Sequence, residues 1–82
     1  MMDVHRAIRQ RLFYLCRQRH MTIASLSAHA QVPASTIKNV LYGRSQNPGV
    51  GTLQQLCNGL DISLFDFFDS AEFRRDERKP AG

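Results

Sequence analysis

Apolar residues recur at helical spacing in five segments of this chain, and the residues that flank those segments favour helix termini. The predicted helices span residues 4–19, 23–30, 33–42, 50–60 and 64–69. Asp3, Thr22 and Ser63 are the expected N-caps of the first, second and fifth helices. Pro33 suits a first helical turn, and Gly43 suits a helix end. No segment alternates polar and apolar residues as a strand does, so the pattern predicts an all-α domain of five helices.

The C-terminal third of the chain carries its own start and stop signals. Asp61 is expected to adopt the left-handed backbone conformation that ends the fourth helix. Ser63 and Asp66 have the spacing of a capping box for the fifth helix, and Phe73 is expected to anchor a last turn. The following residues are charged and then contain proline and glycine. We therefore expect one folded domain over residues 1–73 and a flexible charged tail over residues 74–82.

Size and composition argue against several classes of protein. A chain of 82 residues, 43% of them hydrophobic, forms one small domain with little room for the deep cleft of an enzyme. It has no Gly-rich phosphate loop and no nucleophile with a matching base, so we expect no catalytic residue, cofactor or small-molecule ligand. No apolar run approaches the roughly 18 residues of a membrane span, and no signal peptide is evident. We expect a cytoplasmic protein with no membrane partner.

The two cysteines, Cys16 and Cys57, occupy apolar positions of helical patterns. Two cysteines are too few for a disulfide scaffold, and we expect reduced, buried thiols. Cys16 and His20 could supply two metal ligands, but nothing near them in the sequence completes a set of four. We therefore expect no metal site.

The distribution of charge is uneven along the chain. Residues 1–60 hold seven Lys and Arg residues and one acid, Asp3, whereas residues 61–82 hold six acids and four bases. Between Val4 and Leu60 there is no carboxylate side chain. A surface that lies on a phosphate backbone should lack carboxylates, because the backbone repels them. The first 60 residues therefore have the charge expected of a nucleic-acid-binding surface, and the alternative is that these bases only make the protein soluble.

The second and third predicted helices are short and joined by a tight turn, which is the pattern of a helix-turn-helix unit. Residues 21–68 resemble the Cro/phage-repressor (XRE) family of helix-turn-helix domains. The matching residues are Thr22, Leu26, Ser27, Ala30, Val32, Ser35, Thr36, Ile37, Val40, Gly43, Pro48, Leu53, Leu60, Ile62, Ser63, Leu64 and Phe68. This resemblance implies a five-helix, lambda-repressor-like fold that binds double-stranded DNA.

The resemblance also implies roles for residues of the third helix, whose N-terminal part would lie in the major groove. The implied base contacts are Ala34, Ser35, Thr36, Lys38 and Asn39. The side-chain chemistry is compatible with this role, since Asn can bind adenine in a bidentate manner, Lys favours guanine, and Ala offers a methyl group to thymine. The alternative is that they are solvated residues of a surface helix.

Phosphate contacts are implied at the edges of the same unit. They are Thr22 at the start of the second helix and, after the recognition helix, Tyr42, Arg44, Ser45 and Asn47. For Arg44 the alternative to a phosphate contact is simple solvation. For Arg6, Arg9 and Arg17 of the first helix, a phosphate contact and simple solvation are about equally expected.

Four residues depart from the family pattern. Ile23 stands where many members have a Gln that helps to hold a phosphate, so that contact is expected to be lost. Gln31 replaces the usual turn Gly, and a left-handed non-glycine residue there would cost about 1–2 kcal/mol unless the turn is reshaped. Cys16 and Leu41 stand where many members have a buried Arg–Glu pair. Because both partners are replaced by apolar groups, we expect Cys16 and Leu41 to touch.

The resemblance suggests a transcriptional regulator that binds DNA as a homodimer. The two copies are expected to contact each other through Phe65, Phe73 and the C-terminal segment. The alternative function is a protein-interaction module, such as an antitoxin or an adaptor that binds a partner protein. Phe13, Phe65 and Phe73 lie outside the regular core pattern, and two interpretations of them remain open. Either they form an apolar patch for a second subunit or another protein, or the C-terminal segment folds back so that Phe73 covers Phe13 and both are buried.

Overall fold

The computed structural model describes residues 3–42 and 48–74. These residues form five α-helices, with no strand among them. The helices are α1 (Val4–Gln18), α2 (Ile23–Ala30), α3 (Ala34–Leu41), α4 (Val50–Gly59) and α5 (Leu64–Phe68), and a 3₁₀ turn follows at Ala71–Phe73. The predicted all-α, five-helix fold is confirmed, and every predicted helix end lies within one residue of the observed one.

Side-chain caps start three of the helices, as the sequence predicts. The Asp3 carboxylate accepts hydrogen bonds from backbone N–H groups in the first turn of α1. At α2, Thr22 and Ser25 form a reciprocal capping box, in which each side chain accepts from the other residue's N–H at 3.1 and 2.9 Å. The Ser63 hydroxyl accepts from the Asp66 N–H at 3.0 Å at the start of α5. Such caps satisfy donors that have no acceptor within the helix.

Left-handed residues end the first, second and fourth helices. The φ angles are 54° at His20, 58° at Gln31 and 59° at Asp61. The left-handed conformation expected at Asp61 is confirmed. Gln31 adopts the left-handed backbone conformation although it is not a glycine, so the turn is not reshaped to avoid it. Pro33 was predicted to be the first residue of the third helix. In the structure it is the N-cap of α3, with φ −56° and ψ 140°, and the helix begins at Ala34.

The core is built from the inward faces of all five helices. Its fully buried members include Leu12, Leu26, Ile37, Leu56 and Phe67. α2 packs on α3 and α4, while α1 contacts both α3 and the 3₁₀ turn. None of the described helices is long and apolar enough to cross a membrane.

Both cysteines are free, and they behave as apolar residues of this core. Cys57 is fully buried, and burial raises the pKa of its thiol to about 11, although the nearby Arg11 charge acts in the opposite direction. Cys16 is half-buried, and burial raises the pKa of this thiol as well. The predicted contact between Cys16 and Leu41 remains a prediction, although both belong to or pack against the same cluster.

The C-terminal segment folds back onto α1, as one of the two interpretations of Phe13, Phe65 and Phe73 requires, and Phe73 is buried. However, Phe73 does not cover Phe13. Phe73 is 8% exposed and packs against the rings of Phe67 and Phe68, with ring centroids 5.9 and 4.8 Å away. Phe13 remains 39% exposed and packs against Tyr42. The alternative in which Phe73 covers Phe13 and both are buried is therefore wrong, because Phe73 packs against aromatic rings within its own segment.

Arg11 fastens this segment to α1. Its guanidinium donates to the carbonyl oxygens of Phe67 and Asp66, each at 2.8 Å, at the C-terminal end of α5. The Asp66 carbonyl also accepts from the Asp69 N–H at 3.2 Å. The Arg11 cation adds charged donors to the terminal carbonyls of the short helix and complements its dipole. Of the predicted tail, residues 74–82, only Arg74 lies in the described part, where it pairs with Asp69.

Candidate nucleic-acid interface

The turn between α2 and α3 is closed by backbone and side-chain hydrogen bonds. The Gln31 N–H donates to the Ser27 carbonyl at 2.8 Å, and the Ser27 hydroxyl donates to the Val32 carbonyl at 2.6 Å. Val32 is 3% exposed, so its side chain anchors the turn in the core. The Ser27 hydroxyl therefore helps to hold the turn that orients α3.

α3 has one buried face and one polar outer face. Ile37, Val40 and Leu41 are between 1% and 7% exposed and face the core. The five residues predicted to contact bases all lie on this helix. Ser35, Lys38 and Asn39 are exposed, and Ala34 and Thr36 are partly exposed. The structure thus brings the predicted set together on one short helix whose opposite side is fixed by packing.

The N-terminus of α3 carries no side-chain cap. The Pro33 carbonyl accepts hydrogen bonds from the N–H groups of Thr36 and Ile37, at 3.0 and 3.2 Å, and these are the first hydrogen bonds of the helix. The N–H groups of Ala34 and Ser35 therefore precede the first intrahelical hydrogen bonds, and together with the helix dipole they present partial positive charge. A polyanion docked at this end of the helix would find donors there.

The N-terminus of α2 is arranged differently. The Thr22 hydroxyl already accepts from the Ser25 N–H, so at this position the capping box uses the oxygen that was predicted to face a phosphate. The donors that remain at the helix start are the N–H groups of Ile23 and Ala24. Ile23 is partly buried and packs against the core, in keeping with the expected loss of a polar contact at this position.

Tyr42 follows α3 directly and is 62% exposed. Its ring packs edge-on against Phe13 of α1, with centroids 6.1 Å apart. No sequence pattern predicts this pair, because the two rings are 29 positions apart and neither belongs to the regular core pattern. The other predicted phosphate contacts, Arg44, Ser45 and Asn47, lie outside the described residues, as does Gly43.

Charge is segregated over the described surface. Helices α1 to α4 contain no carboxylate side chain, and the exposed bases Arg6, Arg17 and Lys38 lie on α1 and α3. The acids Asp61, Asp66 and Asp69 lie at the α5 end. Arg11 is not free for a partner, because its guanidinium is used at the C-terminus of α5. Sequence reasoning missed this role, since the two partners are 55 and 56 positions away.

No group of three or more His, Cys, Asp or Glu side chains that could hold a metal ion occurs within residues 3–42 and 48–74.

Two open grooves are found on this part of the surface. The polar groove is lined by Arg19, Asn58, Asp61, Ile62, Ser63 and Asp66. The other, of about 720 Å³, is mainly apolar and is lined by Val4, Leu64, Phe65, Phe68, Asp69, Phe73 and Arg74.

Five helices with a closed turn between α2 and α3, and a polar outer face on α3, define a helix-turn-helix domain. Residues 11–70 match the family model described as the Cro/C1-type HTH DNA-binding domain, and the chain belongs to this family. The resemblance to the Cro/phage-repressor family is confirmed.

A solved structure agrees with this assignment. The crystal structure of the prophage Lp1 protein 11 superposes with a TM-score of 0.76 at 30% sequence identity, covering 89% of this chain and 96% of that chain. No curated protein matches significantly in sequence.

Proposed function

We propose that this domain binds double-stranded DNA sequence-specifically and acts as a cytoplasmic, nucleoid-associated transcriptional regulator of the repressor kind. α3 would enter the major groove with its N-terminal half toward the bases. The observation that carries the proposal is the polar outer face of α3, held by a buried opposite face in a domain of Cro/C1 type. The absence of carboxylates from residues 4–60 supports it, since this surface would meet a polyanion.

Each residue on the outer face of α3 has a distinct chemistry for base recognition. Asn39 can donate to and accept from adenine at once, and Lys38 can donate to guanine O6 and N7. The hydroxyls of Ser35 and Thr36 can serve as donor or acceptor, and the Ala34 methyl group suits the thymine methyl. Because Ser35, Lys38 and Asn39 are exposed, their side chains can reach a partner without local unfolding.

Backbone contacts would fix the register of α3 in the groove without reading sequence. On the α2 side, Thr22 would act mainly by forming the cap that leaves the N–H groups of Ile23 and Ala24 for a phosphate. On the other side the contacts would come from Tyr42 and, by the resemblance alone, from Arg44, Ser45 and Asn47.

We further propose that two copies bind a two-fold site with half-sites about 10–10.5 base pairs apart. The apolar groove at the α5 end supports a contact between copies there, since Phe65 is 77% exposed and Phe68 and Val4 are 40% and 44% exposed. Phe73, which the sequence predicted to take part in this contact, would act indirectly. Its ring is buried within the protomer and packs against the exposed Phe68. The charged residues that line this groove are Asp69 and Arg74, which pair with each other.

The proposal is tested by mapping the contact surface with amide chemical shifts. A ¹⁵N-labelled sample is titrated with a mixed-sequence duplex of about 20 base pairs, which offers two turns of groove. Shifts concentrated in residues 34–39 and at the start of α2 would support the proposal. No shifts at α3, with binding of a co-purified protein at the α5 groove, would contradict it and favour the antitoxin or adaptor function.

A further inference from the structure

Phe13 and Tyr42 form an aromatic pair on the surface of the domain. Their ring centroids are 6.1 Å apart and the ring planes meet at 61°, an edge-to-face arrangement. This geometry lies within the range that aromatic pairs prefer. Phe13 is 39% exposed and Tyr42 is 62% exposed, so the pair is not part of the core.

The surroundings of the pair are cationic. Arg9 and Arg17 lie four residues before and after Phe13 on α1, and residues four apart share one face of a helix. Arg17 is exposed and Arg9 is partly exposed. No carboxylate side chain occurs on α1, α2 or α3. The face of α1 that touches Tyr42 is therefore suited to lie near a polyanion and not near an acidic or apolar partner.

We propose that Phe13 is a positioning residue for DNA binding, which holds the Tyr42 ring so that its hydroxyl donates to a DNA phosphate. The inference rests on the proposed function, and it extends the interface from the helix-turn-helix unit to α1. A tyrosine at the end of a short helix would otherwise lose side-chain freedom when it binds. The Phe13 ring restricts Tyr42 before DNA arrives, so less entropy is lost on binding.

The test is a double-mutant cycle on binding to a mixed-sequence duplex of about 20 base pairs at low salt, because phosphate contacts do not depend on sequence. Tyr42→Phe keeps the ring and removes the hydroxyl, and we expect about three- to tenfold weaker binding. Phe13→Leu should weaken binding about two- to fivefold, through the lost orientation. In the Tyr42→Phe background, Phe13→Leu should have no further effect, since there is no hydroxyl left to position.

Two control variants and one measurement of salt dependence separate positioning from loss of stability or charge. Tyr14→Leu removes an aromatic ring of similar exposure from the next position of α1, and it should leave binding unchanged. Phe13→Tyr keeps the ring at position 13 and should retain affinity. The slope of affinity against salt should be the same for Phe13→Leu as for the wild type, because that slope counts cationic contacts.

A second readout needs no DNA. The chain has two tyrosines, so Tyr14→Phe leaves Tyr42 as the sole tyrosine fluorophore. Its fluorescence anisotropy in the free protein should fall when Phe13→Leu is added, because the ring gains freedom. An unchanged anisotropy, or additive effects of the two substitutions on binding, would overturn the inference while leaving the proposed function intact. Failure of the wild type to bind the duplex would overturn both.

Discussion

Gly59 of α4 lies directly against Ala30 of α2. A methyl group built on Gly59 would fall 2.7 Å from the Ala30 Cβ and 2.9 Å from its Cα and backbone N. Carbon atoms pack at about 3.5–4.0 Å, so there is no room for a side chain at this crossing. Since two of these three contacts are to backbone atoms, the helices themselves would have to move apart. The packing of α4 against α2, the helix that precedes α3, therefore depends on this glycine.

We expect Gly59→Ala to destabilise the domain by about 1–3 kcal/mol, although alanine favours helices, because the added methyl group overpacks the crossing. Gly51→Ala is the matched control. Gly51 lies in the same helix and has nothing within 4 Å of the added methyl group, so this variant should be as stable as the wild type or more stable. The free energy of unfolding in urea measures both. Equal stability of the two variants would show that the crossing can relax.

Arg11→Ala should destabilise the domain by about 1.5–3 kcal/mol, because it removes charged donors from two carbonyl oxygens at the end of α5. Urea denaturation is again the measurement. Arg6→Ala removes an exposed arginine of the same helix and should change stability by less than about 0.5 kcal/mol. A similar loss in both variants would mean that Arg11 acts through the general charge of α1 and not through these hydrogen bonds.

Asn39→Ala should weaken binding to the preferred DNA site by about 1–3 kcal/mol and relax base preference at one position of each half-site. The measurement is a titration of the preferred site and of its single-base variants by fluorescence anisotropy. Asn58→Ala removes an exposed asparagine from α4, outside the proposed interface, and should bind as the wild type does. If Asn39→Ala keeps its full base preference, Asn39 is not a base-reading residue.

Phe65→Ser should weaken self-association by about 1.5 kcal/mol or more without loss of folding, because the side chain is 77% exposed in the protomer and would be buried between copies. Sedimentation equilibrium gives the association constant. Tyr14→Ser, which removes an exposed aromatic ring on α1, serves as the control. An association constant that Phe65→Ser leaves unchanged would place the contact between copies elsewhere.

Local signals in the sequence predict most of the fold. Asp3 and Thr22 start their helices as N-caps, and Asp61 ends α4 in the left-handed conformation, because each of these roles depends on neighbouring residues alone. The same locality explains why the outer face of α3 could be predicted. The spacing of Ile37, Val40 and Leu41 determines which face is buried and therefore which face is available.

Contacts between distant segments could not be predicted in this way. The hydrogen bonds from Arg11 to the end of α5 join residues that are more than 50 positions apart and belong to no common sequence motif. From the sequence alone, an arginine on a helix is expected to be a solvated charge. The sequence left the partner of Phe73 open for the same reason, and the structure places its ring against Phe67 and Phe68 of its own segment. The close approach of Gly59 to Ala30 also depends on how two helices cross.

We infer that the outer face of α3 reads a DNA sequence, and selection of bound sites from random duplex DNA is the experiment that tests this role. The purified protein is incubated with the random duplexes at moderate salt, and the bound fraction is sequenced over successive rounds. We predict enrichment of a two-fold motif with half-sites about 10–10.5 base pairs apart. Recovery of no motif, with binding that is lost as salt rises regardless of sequence, would contradict the claim.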